Sequence, residues 1–113
     1  MSQPTQGRAE FATVITGDNT AAGASYAALG SPLSISPNAL VITSTYDKSV
    51  WVSTDGTNNM LLISAGMLSV NLGANKQGTA TFALPSGTQF YLKQGPDGAP
   101  TTGDIAISSL YGV

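Results

Sequence analysis

The chain has no cysteine and no histidine. Without cysteine there is no disulfide, no thiolate metal ligand and no thiol nucleophile. Without histidine the commonest general base and the commonest zinc ligand are missing. A Ser-His-Asp or Cys-His arrangement is therefore excluded within the chain. Charge is scarce as well. Only 9% of the 113 residues are charged, against roughly 25% in an average soluble domain. Four basic and six acidic residues leave a formal net charge of −2. That balance lacks both the basic footprint of a nucleic-acid binder and the polybasic segment of an electrostatic membrane anchor. No apolar run approaches the ~20 residues that a membrane-spanning helix requires. The opening MSQPTQGRAEF has no basic segment followed by an apolar one, so no Sec-type signal is expected.

The remainder is rich in Ser, Thr, Ala, Gly, Asn and Val, and 42% of the residues are hydrophobic. That content is too high for a disordered chain. The length fits one domain. Residues 1–7 are polar, contain Pro4 and Gly7, and read as an N-terminal arm. Residues 8–113 read as a single β-domain.

The strongest local signal is Asp47–Ile63, DKSVWVSTDGTNNMLLI. Two β-rich runs, Ser49–Ser53 and Met60–Ile63, flank a turn that contains Asp55-Gly56. Asp-Gly between such runs is a hairpin signature, because Gly56 adopts positive φ without steric cost. The spacing predicts a loop of about four to six residues. Val50 and Val52 share one face, which the alternation assigns to the core. Trp51, the sole tryptophan, points the other way, toward either another layer of the sandwich or the interface with a partner subunit.

Further strands are expected at Arg8–Thr16, Ser31–Pro37, Ala39–Tyr46, Met67–Leu72, Thr79–Leu84, Thr88–Lys93 and Asp104–Leu110. Several alternate with period two: Leu40, Ile42, Ser44 and Tyr46 oppose Val41, Thr43 and Thr45, and Ile105 and Ile107 oppose Ala106 and Ser108. The prolines around Ser31–Pro37 suit an edge strand. Gly17–Gly30 reads as a long loop, with a short helix near Tyr26–Leu29 as the alternative; its glycines disfavour the helix. About eight short strands at 8–12-residue spacing predict an all-β antiparallel sandwich of jelly-roll type.

Catalytic chemistry has little to draw on. The acids are Glu10, Asp18, Asp47, Asp55, Asp97 and Asp104. All but Glu10 fall at expected turns or strand ends, where Asp usually caps backbone amides. A carboxylate pair for glycoside hydrolysis is the enzymatic alternative. Asp55, Thr57 and Asn58 could supply oxygens to Ca²⁺, but they lack the EF-hand spacing and closing Glu, so a hydrogen-bonded turn is the better reading. Gly73-Ala74-Asn75-Lys76 does not have the order of a phosphate-binding loop. No catalytic residue, cofactor or metal is expected. Trp51, Tyr46, Tyr91 and Tyr111 could form an aromatic platform for sugar, although such residues in strands more often belong to a core or interface.

Three segments carry a family resemblance. Asp47–Gly56, DKSVWVSTDG, Leu84–Lys93, LPSGTQFYLK, and Gly103–Gly112, GDIAISSLYG, resemble strand–turn segments of small virion proteins of tailed bacteriophages, in the same order. Gly17–Gly30 has no counterpart there. The resemblance implies a non-enzymatic β-sandwich structural component, such as a capsid decoration or cement protein, a head-fibre base or a small connector. It implies a homo-oligomer, often a trimer, located in the virion after assembly in the host cytoplasm. Its partners would be the major capsid protein or other virion proteins, with no nucleic acid or membrane. Trp51, Leu110 and Tyr111 are the candidate interface residues. The alternative from another class is a carbohydrate- or receptor-binding β-sandwich module, suggested by the aromatic set and the Asp/Asn turns.

Overall fold

A computed structural model describes residues 9–11, 14–35, 37, 39–66, 70–73 and 86–112, giving only the backbone course for 9–11, 70–73, 111 and 112. The strands among the described residues are β1 (Ala9–Phe11), β2 (Ile15–Asp18), β3 (Ala27–Leu29), β4 (Ala39–Ser44), β5 (Val50–Ser53), β6 (Leu61–Ile63), β7 (Val70–Gly73), β8 (Phe90–Gln94) and β9 (Asp104–Gly112). They form two antiparallel sheets. In the first, β9 lies between β4 and the pair β1 and β2, and β7 flanks β4; in the second the order is β3-β8-β5-β6.

The pairings nest. β2 pairs with β9, β3 with β8, β4 with β7 and β5 with β6. Cross-links between β4 and β9 and between β5 and β8 then close the sheets. A long antiparallel ribbon wrapped in this way is the eight-stranded jelly roll. β1 is an extension of β2 along β9. The two engage β9 in registers that differ by one residue, since Phe11 faces Leu110 whereas Ile15 faces Ile107.

The period-two pattern decides which face is buried. On β4, Leu40, Ile42 and Ser44 are buried while Val41 and Thr43 are half-buried. On β9, Ile105, Ile107 and Ser109 point inward. The second sheet contributes Val50, Val52, Ile63, Phe90 and Leu92 to the same core. Each fully buried Leu, Ile or Val stabilises the fold by about 1.5–3 kcal/mol relative to exposure. Tyr46 is fully buried just beyond β4. Its hydroxyl donates to the Asp18 carbonyl over 2.7 Å, which ties the end of β4 to β2. Burial, then the charges of Asp18 and Asp104, push the Tyr46 hydroxyl up to about 12.

Three expectations need correction. Gly17–Gly30 is not loop throughout: Ala27–Leu29 is a strand paired with β8, where a loop or short helix was expected. The described residues of Ser31–Pro37 form no strand. Leu33 is buried, donates its backbone N–H to Thr88 (2.8 Å) and accepts from the Gly87 amide (2.6 Å). Pro32 and Pro37 have no N–H to donate, so neither can supply a ladder donor. The hairpin loop runs over 54–60, longer than expected, because Met60 lies outside β6. The arm at 1–7 and the strand expected at Thr79–Leu84 lie outside the described residues.

Candidate functional site

The outward face of the second sheet carries the largest gathering of chemically distinctive side chains among the described residues. Its register builds two rows. In the first, Trp51 of β5 faces Leu62 of β6 on one side and Lys93 of β8 on the other. Continuing the β3–β8 register by one residue brings Tyr26 beside Lys93. The Lys93 ammonium lies 4.7 Å from the centre of the Tyr26 ring. The row Leu62, Trp51, Lys93, Tyr26 thus crosses the sheet as apolar, aromatic, cationic and aromatic. Leu62 is 40% exposed, and Trp51, Lys93 and Tyr26 are half-buried.

The second row is Ser53, Tyr91 and Ala28. The 54–60 loop folds over it. Gly56 has φ of 73°, and a Cβ there would approach Tyr91 Cδ2 to 3.2 Å, so the loop lies directly on the phenol ring. Ser53 is fully buried although it faces outward. Its hydroxyl accepts from the Asp55 amide (3.2 Å) and the Gly56 amide (3.1 Å), and donates to Asp55 Oδ1 (2.8 Å).

Asp55 organises the remainder of the loop. Oδ1 accepts from the amides of Thr57 (2.8 Å) and Asn58 (2.9 Å), and Oδ2 accepts from Asn58 Nδ2 (2.7 Å). These donors, led by the Asn58 and Thr57 amides, hold its carboxyl well below the usual carboxylate range. The expected hydrogen-bonded turn is therefore the observed one. The loop is anchored laterally as well: the Tyr26 hydroxyl donates to Asn59 Oδ1 (2.7 Å) and approaches the Asn58 carbonyl (3.3 Å). Burial and the Asp55 charge push the Tyr26 hydroxyl pKa up.

The other carboxylates do similar local work. Asp18 accepts from the Thr20 amide (2.9 Å) and hydroxyl (2.6 Å), which lowers its pKa. Asp47 accepts from the Thr101 hydroxyl and from the amides of Thr101 (2.8 Å) and Thr102 (3.3 Å). The Thr101 side chain, then the amides, lower it to about 2. Asp18 and Asp104 are register partners at the ends of β2 and β9. They border an open groove of about 730 Å³ between the β2 and β3 edges. A smaller groove of about 270 Å³ continues it along Val14, Ile15, Gly30 and Leu33.

The candidate interface residues do not assemble into one surface. Trp51 lies on the outer face of the second sheet. Leu110 is half-buried on β9 in the first sheet, opposite Phe11 and Ala39, and the backbone of Tyr111 pairs with Glu10. Of the suggested aromatic platform, Tyr46 belongs to the core, Trp51 and Tyr91 share the outer face, and Tyr26 joins them. Tyr26 carried no strand signal, since it lies between Ser25 and two alanines; its Tyr-Ala-Ala context gives no periodicity. Comparison of the chain with protein-family models, curated proteins and solved structures finds no match.

Proposed function

We propose that this chain is a non-enzymatic structural protein of a bacteriophage virion, of the capsid decoration or head-associated kind, which binds other virion proteins as a homotrimer. The observation that carries the reading is the nested jelly roll itself, β2-β9-β4-β7 packed on β3-β8-β5-β6. Viral capsid domains use this architecture, as do lectins and cupins. Two further features support it. The segments that resemble virion proteins contain β5, β9 and all of β8 but its last residue. The sheet edges at β3 and β6 are three residues long and carry few charges to protect them, so a neighbouring subunit would cover them well.

Quantitative mass spectrometry of gradient-purified particles tests the reading. The chain should co-purify in fixed stoichiometry with the major capsid protein. Its absence from particles would rule the proposal out. Sedimentation equilibrium should return three times the mass of 11.4 kDa; a monomer at all concentrations would remove the trimer.

One observation favours a second reading, a carbohydrate-binding module. The row of Trp51, Lys93 and Tyr26 presents aromatic rings and hydrogen-bond donors on one sheet face. Aromatic faces of this kind take the apolar side of a ring-shaped ligand.

A further inference from the structure

We propose that the Leu62–Trp51–Lys93–Tyr26 row, with Asn59 at its border, binds saccharides and prefers those with an acidic substituent. The inference rests on the carbohydrate reading above and assigns its site and ligand class.

Trp51 supplies a half-buried indole with one N–H donor and no acceptor. Leu62, 40% exposed, extends the apolar surface beside it. An indole flanked in this way matches the C–H face of a pyranose ring. Lys93 adjoins Trp51 across the ladder, and its ammonium rests over the Tyr26 ring. A cation over a phenol keeps its N–H groups available to an acceptor. The nearby carboxylate, Asp55, is turned into its own loop by Ser53, Thr57 and Asn58. Asn59 gives its Oδ1 to the Tyr26 hydroxyl, so its amide nitrogen is what remains to offer. Indole N–H, ammonium and amide nitrogen are all donors. The complementary ligand brings acceptors, one of them anionic, alongside an apolar ring face.

The single tryptophan makes the site self-reporting, because all indole emission comes from Trp51. The full chain is titrated at low salt with an oligogalacturonate and its methyl ester, and with sialyllactose and lactose. Tryptophan emission and calorimetry are read in parallel. The acidic member of a pair should change the emission saturably and bind roughly tenfold more tightly than its neutral counterpart, as expected for one charge-assisted hydrogen bond. Lys93→Gln should abolish that preference. Trp51→Ala should abolish binding by calorimetry while the unfolding midpoint of each variant reports an intact fold. Equal binding of acidic and neutral members would overturn the acidic preference. Binding that survives both substitutions would overturn the site and leave the carbohydrate reading standing. No heat and no emission change with any of the four saccharides would overturn both. Loss of particle association in Trp51→Ala, without saccharide binding in the parent, would make the face a protein interface and overturn the proposal.

Discussion

Individual residues divide cleanly between those that hold the sandwich and those that face out of it. Trp51 and Ile107 make the contrast. Ile107 is fully buried between β2 and β4. Ile107→Ala should cost about 2–5 kcal/mol in urea unfolding, the range for large-to-small core changes. Trp51 stands on the outer face, so Trp51→Ala should cost about 1 kcal/mol, well under the ~3–5 kcal/mol of a core aromatic. A loss at the core level would mean that the indole is structural rather than presented. Gly103 is the strictest backbone position among the described glycines, with φ of 100° and a Cβ vector that runs into the Thr45 carbonyl. Gly103→Ala should therefore destabilise by more than ~1 kcal/mol by the same measurement.

Strands and loops show where local signals suffice and where pairing is needed. β4 and β9 were legible because Leu40, Ile42, Ile105 and Ile107 recur every second residue and end up buried. The 54–60 turn was legible because Asp55-Gly56 carries its own geometry. β3 was not. Ala27 and Ala28 are exposed and only Leu29 is buried, so the strand exists through its ladder with β8. Ser31–Pro37 misled in the opposite sense: Leu33 and Ile35 alternate, yet Leu33 is buried while Ile35 is half-buried, and the described residues of the segment form no strand. Asp47 clamps the 101–102 segment onto the start of the β5 hairpin. Its pKa is lowered to about 2 from the ordinary value of 3.8. The stabilisation it gives is complete above the unfolded value and is lost as pH falls through that window, because the unfolded chain takes up the proton first. The urea midpoint should fall between pH 4 and pH 2, and Asp47→Asn should flatten that fall. An unchanged slope would mean that the clamp carries no linkage.

At the scale of the whole molecule, the nested topology and the scarcity of charge set the behaviour. β2 must find β9, and Ile15 lies opposite Ile107. Such distant pairings lose much chain entropy before contacts form, so refolding should take milliseconds to seconds in stopped-flow experiments. Microsecond folding would contradict the ribbon. With four basic and six acidic residues in 113, few charge pairs are available for salt to screen. The unfolding midpoint should shift little between low salt and about 0.5 M sodium chloride. A large shift would reveal an electrostatic contribution that the sequence does not suggest.

The sequence by itself determined the all-β class, the inward faces of β4, β5, β8 and β9, the positive φ of Gly56 and the exclusion of histidine and cysteine chemistry. Those properties are local or compositional: period-two alternation, turn sterics and the residue inventory. Only the tertiary structure decided that Ala27–Leu29 is a strand, that Tyr46 is core, and that Trp51 and Leu110 lie on different sheets. It also brought Tyr26 and Lys93, far apart in the chain, into one row with Trp51. The physical reason is that ladder register and the order of strands in a jelly roll are set by long-range pairing, which no short stretch of sequence encodes.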